Sequence, residues 1–169
     1  MKKLIVTAII FCSTSVFVYA QHEHQNTTTV TTDTGSNASL SQLLTSYYAI
    51  KDALVAGNAN LAATKAEDFL RVANGIDYKV ISEGNINALV KDATGISETK
   101  DIKRQREQFA NLSNNMIALA KAMKLGEQPA YETYCPMKKA YWLSNSKTIK
   151  NPYFGSSMLT CGKVTEKIQ

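Results

Sequence analysis

Histidine is almost missing from this chain. Of 169 residues only His22 and His24 are histidines, and both stand near the N-terminus. Proline is nearly as scarce, with three residues at 129, 136 and 152 and none between Ser39 and Gln128. Cysteine occurs three times and tryptophan once. Each shortage excludes something. Without histidine beyond residue 24, the folded region has no Ser-His or Cys-His pair for nucleophilic catalysis. A zinc site of mixed Cys/His type lacks its nitrogen ligands there as well. There is no glycine-rich phosphate loop and no Cys-x-x-Cys redox motif, so an enzyme is not expected. The missing prolines leave a long stretch free to run as uninterrupted helix.

What is present begins with a leader. Lys2 and Lys3 precede an apolar run from Leu4 to Val18, and Val18-Tyr19-Ala20 fits a small-residue cleavage site. This pattern reads as a secretory signal peptide over residues 1–20. The run is short of the ~20 residues of a membrane span, and no later stretch approaches that length. The expected location is therefore periplasmic or secreted, with no transmembrane segment in the mature chain. Ile10 and Phe11 before Cys12 are not the small residues of a lipoprotein signal. Removing residues 1–20 lowers the formal charge from +5 to +3 and leaves Cys135 and Cys161 as the only cysteines. So weak a positive balance on an exported chain does not point to nucleic acid.

Residues 21–38 hold six threonines and no apolar period, and read as a flexible linker. Residues 39–128 carry helical patterning. Leu40, Leu43, Leu44, Tyr47, Leu54 and Val55 share one face, with Ser39 and Gln42 as a capping box and Gly57 as the stop. A second helix runs from Asn58 or Asn60 to Asn74-Gly75. A third spans Ser82 to Thr94, closed by Gly95. The fourth and longest runs from Thr99 to Leu125, with a stripe of Ile102, Phe109, Leu112, Met116, Leu119 and Met123. Short connections between amphipathic helices predict an all-α fold, an antiparallel four-helix bundle. Residues 129–169 then form an irregular C-terminal segment of the same domain, packed on the bundle.

That segment holds every proline, both remaining cysteines, the tryptophan and a local charge of +4. It contains Cys135-Pro136-Met137 and Met158-Leu159-Thr160-Cys161. Residues two apart in extended chain, or three apart in a helical turn, project to the same side. Each cysteine can thus converge with one methionine. Two thiolates and two thioethers, from Cys135, Met137, Met158 and Cys161, form a soft ligand set that selects Cu(I) or Ag(I). Trp142 and Tyr153 would then shield the ion, although aromatics here read equally well as ordinary apolar packing. Two cysteines on an exported chain also ordinarily form a disulfide, and Cys135–Cys161 remains open as a structural staple. His22 and His24 resemble the short His-containing tracts that bind metals.

Several of these elements occur together: Cys135-Pro136-Met137, Trp142-Leu143, Asn151-Pro152-Tyr153 with Gly155, and Met158 followed by Cys161-Gly162. With the upstream YYAIKDALVAGN of residues 47–58, they resemble a bacterial domain family of unknown function. That family occurs as small secreted proteins and as a C-terminal extension of periplasmic adaptor subunits in copper/silver efflux systems. The resemblance covers residues 39–165. It implies a helical domain, a soft metal, and periplasmic copper/silver efflux components as partners. Relatives often carry histidine before the aromatic of the fourth helix, where this chain has Gln108 before Phe109. The expected function is soft-metal binding in copper homeostasis or efflux. The other open reading is a non-metal interaction or adaptor domain stapled by the disulfide.

Overall fold

A computed structural model describes residues 31–169. The signal segment, most of the threonine-rich linker, Cys12, His22 and His24 lie outside the described residues. Four helices follow one another: α1 (Thr31–Val55), α2 (Ala59–Asn74), α3 (Glu83–Ser97) and α4 (Ile102–Ala122). Three strands end the chain: β1 (Ala130–Cys135), β2 (Ala140–Ser144) and β3 (Lys163–Ile168), with a short 3-10 turn at Gly155–Met158.

The apolar stripes read from the sequence are mostly buried, with Val55, Ile102 and Met123 only half-buried. Leu40, Leu43, Leu44, Tyr47 and Leu54 of α1 enter the core, with Phe69 of α2, Leu89 of α3 and Phe109, Leu112 and Met116 of α4. A large apolar side chain withdrawn from water contributes about 1.5–3 kcal/mol, so these stripes dominate the fold. Residues 56–58 turn α2 back onto α1, and the Asn58 side chain caps α2 by accepting the Leu61 N–H at 2.9 Å. Asp101 likewise caps α4 through the Lys103 N–H at 2.9 Å. Consecutive helices pack along their lengths, whereas α1 and α4 meet mainly through Tyr47 and Phe109, whose rings stack 5.2 Å apart.

Four expectations change. The fourth helix, expected from Thr99 to Leu125, runs only from Ile102 to Ala122, because Asp101 caps it two residues inside the expected start and the backbone is extended at Met123. The helix expected to start at a Ser39 cap already begins at Thr31, and the Ser39 hydroxyl bonds back to the Gly35 carbonyl inside it. Residues 31–38 are therefore helix rather than linker. The third helix does not stop at Gly95 but runs to Ser97. Gly95 serves a close approach instead, since a Cβ there would stand 3.0 Å from Gln108 side-chain carbons of α4. The fold is also not purely α. The segment expected to be irregular carries an antiparallel sheet of order β2-β1-β3. Its period-2 signal is hidden because β1 and β2 are covered on both faces over most of their length.

The sheet docks where α1 and α4 leave room. The Tyr47 hydroxyl bonds Ser113 Oγ of α4 at 2.8 Å and accepts the Leu143 N–H of β2 at 3.1 Å. One phenol thus joins two helices and the sheet, and burial pushes it well above the usual tyrosine range. At the far end of α4, Lys121 lies 2.5 Å from Glu132 of β1 and 2.9 Å from Glu166 of β3. Hydrogen bonds to these two carboxylates hold its ammonium above the ordinary lysine value.

Candidate metal centre

The turn between β1 and β2 covers residues 136–139. Cys135 pairs with Ala140, and the Lys139 N–H closes the turn on the Cys135 carbonyl at 2.8 Å. Lys139 takes φ 57°, an unusual conformation for a side-chain-bearing residue. Cys161 stands just before β3, which pairs with β1 from the other side. The central strand β1 and its neighbour β3 thus carry the cysteines to the same end of the sheet.

There the Cys135 and Cys161 sulfurs are 3.9 Å apart, both as free thiols. Cys135 is fully buried, while Cys161 is partly open to solvent. Burial and the neighbouring Cys135 thiol push the Cys161 thiol above its ordinary value, and a hydrogen bond from the Met137 backbone offsets part of this. Thiolates bond a metal at about 2.3 Å, so two sulfurs at this separation subtend roughly 115° at a shared ion. That angle lies between tetrahedral and trigonal and leaves room for further donors.

Asn151 organises the pair. Its amide nitrogen donates to Cys135 Sγ at 3.1 Å and to the Cys161 carbonyl at 2.6 Å. Its Oδ1 accepts the Tyr153 N–H at 2.8 Å, its own N–H reaches the Leu159 carbonyl at 2.8 Å, and its carbonyl takes the Gly155 N–H at 3.0 Å. A buried amide satisfied on every side rigidifies what it touches. Cys135 Sγ also accepts the Lys138 N–H at 3.4 Å. Two N–H donors thus face one buried sulfur.

The loop around Asn151 is anchored to the helices by Arg106 of α4. Its Nε donates to the Pro152 carbonyl and its guanidinium to the Leu54 carbonyl of α1, each at 3.0 Å. Gly155 is required here. It takes φ +56°, and a Cβ would stand 2.7 Å from the Arg106 guanidinium and 3.0 Å from the Val55 carbonyl. Gly162 leaves space for Trp142, whose ring edge would lie 2.8 Å from an added Cβ.

The expected residues fare differently. Cys135 and Cys161 are brought together. Met137 and Met158 flank them, but their side chains reach solvent, 63% and 38% exposed. Trp142 and Tyr153 are both buried beside the pair, ring edge against ring face with centroids 5.9 Å apart. The Tyr153 hydroxyl donates to the Tyr141 carbonyl and its ring packs against Phe109. Both aromatics are integral to the core as well as neighbours of the sulfurs. Among the described residues, no group of three or more His, Cys, Asp and Glu side chains is placed to hold a metal ion. An ion here would rest on two thiols with thioether help, a donor set that suits Cu(I) or Ag(I) and not a hard cation.

Asn151, Arg106 and the Lys138 N–H were not singled out as parts of the site from sequence. The signal present was Asn151-Pro152 followed by Gly155, part of the motif behind the family resemblance and by itself an ordinary turn pattern.

A family described as "Protein of unknown function (DUF3347)" matches residues 43–128. The chain belongs to this family. The match spans α2, α3, α4 and the second half of α1, and ends just before the segment that bears both cysteines. DUF3347 membership therefore speaks for the helical part, whereas the sulfur constellation stands on its own geometry. No curated protein and no solved structure matches the chain.

Proposed function

We propose that this is an exported helical domain that binds a soft monovalent ion, Cu(I) or Ag(I), between Cys135 and Cys161. The observation that carries this is the pair of free thiols 3.9 Å apart, one buried under an Asn151 amide and one open to solvent. Met137 and Met158 stand at its solvent edge and can swing inward as thioether donors. Trp142 and Tyr153 keep bulk water from the Cys135 side. The bound ion would supply no redox step of its own in this role; the protein holds it for storage, sensing or delivery. The resemblance of the cysteine-bearing motif to extensions of copper/silver efflux adaptors supports a place in periplasmic copper homeostasis.

The test is anaerobic titration of the reduced protein with Cu(I) against a chromophoric chelator. Competition at nanomolar affinity, lost in Cys161→Ser and in Cys135→Ser, is the expected result. No competition, or full affinity in Cys161→Ser, overturns the reading.

The adjacency of the two sulfurs also favours a second reading, an interaction or adaptor domain closed by a Cys135–Cys161 disulfide. Closing that loop would stabilise the fold by ~3.5 kcal/mol in the chain-entropy treatment. Mass spectrometry of protein taken from its own compartment separates the two. A quantitative disulfide that survives copper stress favours the staple.

A further inference from the structure

The cysteine pair is reached from one side only. Cys135 has no exposed surface, so an ion can enter or leave only past Cys161. The surface around that opening is assembled from three pieces: the turn at 136–139, residues 149–150, and residues 158–163. Asn151 draws them together through its bonds to Cys135, Leu159 and Cys161. Met137, Met158 and Leu159 are exposed there, an apolar, sulfur-bearing patch at the mouth of the site.

The charge around this patch is one-sided. No Asp or Glu occurs between Glu132 and Glu166, while Lys138, Lys139, Lys150 and Lys163 do; Lys147 lies over Tyr131, at the other end of the sheet. The two flanking carboxylates are already engaged by Lys121. Among the described residues, none of these four lysines forms an ion pair.

Cys135 and Cys161 supply two donors, and Met137 and Met158 lie exposed beside them. A sulfur from another molecule can therefore reach an ion held at this opening.

Resting on the soft-metal reading above, we infer that the lysine-rimmed face over Cys161 is a docking surface for an acidic segment of a partner protein that carries a methionine or cysteine donor. Opposite charge steers the segment to the opening, and its sulfur completes the coordination. Transfer is then ligand exchange. On loading, bonds from the ion to Cys161 and then to Cys135 form as its bonds to the partner's sulfurs break, and the reverse holds on delivery. The ion keeps its oxidation state, and the protons of both thiols go to solvent on loading and return on delivery.

Two synthetic twelve-residue peptides test this, each with two methionines, one otherwise of Asp and Gly and the other of Lys and Gly. Each is loaded with Cu(I) and mixed anaerobically with the reduced full mature chain, and the rate of thiolate–copper absorbance is followed. The acidic peptide should load the protein at least tenfold faster, with the preference shrinking in 0.5 M salt. It should vanish in a Lys139→Glu, Lys150→Glu, Lys163→Glu variant whose circular dichroism and equilibrium affinity against the chelator are unchanged. Equal rates for the two peptides, or a preference that survives the triple variant, overturn the docking surface while leaving the metal site standing. Failure to take Cu(I) from the chelator in the same preparation overturns both. Tight binding of the metal-free protein to phosphatidylglycerol vesicles at 0.15 M salt, without peptide preference, would assign the face to a membrane and overturn the inference.

Discussion

The helices and the sheet are held by different physics although they share one core. In α1 to α4 the cohesion is spread over many apolar side chains, and deleting one leaves the others in place. The segment from Ala130 onward sinks Trp142, Leu143 and Tyr153 into the same core, but its β3 is exposed along most of its length and a few directed contacts set its register. These are Tyr47 to Leu143, Arg106 to Pro152, Lys121 to Glu132 and Glu166, and the Asn151 node. Distributed packing tolerates substitution, whereas a scaffold of single polar contacts holds a site in register but fails locally when one is removed.

Breaking the comparison outright would take a substitution in the loop that unfolds the helices as well. Gly155→Ala introduces a left-handed alanine against Arg106 and the Val55 carbonyl, and should cost about 2–4 kcal/mol. Hydrogen exchange should show β1 to β3 losing protection while α2 and α3 keep theirs. Equal loss throughout would mean that the two regions form one cooperative unit.

Asn151→Ala removes the donor to Cys135 and the link to Cys161. Loss of a side chain that orients a ligand typically weakens metal affinity by about 10–100-fold. The chelator titration should show this with helical circular dichroism little changed. An unchanged affinity would show that the sulfurs hold themselves in place.

The joint between the regions is Tyr47. Tyr47→Phe leaves the buried Leu143 N–H and Ser113 hydroxyl without their partner, at a cost of about 1–2 kcal/mol. Denaturant melts should register the full loss. A neutral substitution would show that the sheet does not need this joint.

The smallest effect belongs wholly to the helices. Burial pushes the Asp92 carboxyl above its ordinary value, partly offset by the Asn115 hydrogen bond at 2.7 Å and by Lys91. An acid raised in this way stabilises the fold while protonated. Its contribution is present below the ordinary carboxylate value and is lost as pH rises through that value to the raised one. Asp92→Asn keeps an acceptor for Asn115 and should raise the melting temperature at pH 7 by about 2 °C, with no gain at pH 3. A gain equal at both pH values would assign the effect to packing instead.

Legibility in the sequence followed the same division. The periodic stripes of Leu40 to Leu54 and Phe109 to Met116 announced their helices because an amphipathic helix repeats its signal over many turns. The start of α1 was misplaced because Thr31 to Ala38 carries no apolar stripe and is poor in helix formers. The sheet was missed because β1 and β2 are only six and five residues long and buried on both faces, which erases alternation. The sulfur pairing was legible as a possibility of spacing. Its asymmetry was not, since nothing local to Cys135 or Cys161 says which one the Asn151 loop will cover.

Sequence alone thus determined the apolar faces of the four helices and the concentration of sulfur and lysine in the last 41 residues. All of these are written in neighbours a few positions apart. Only the tertiary structure decided that Cys135 and Cys161, 26 positions apart, would meet across a sheet, and that one would be buried and the other open. It also decided that Asn151, Arg106 and Gly155 would fix that arrangement. Those outcomes depend on strand register and on helix ends brought together from distant parts of the chain, which no short-range pattern encodes.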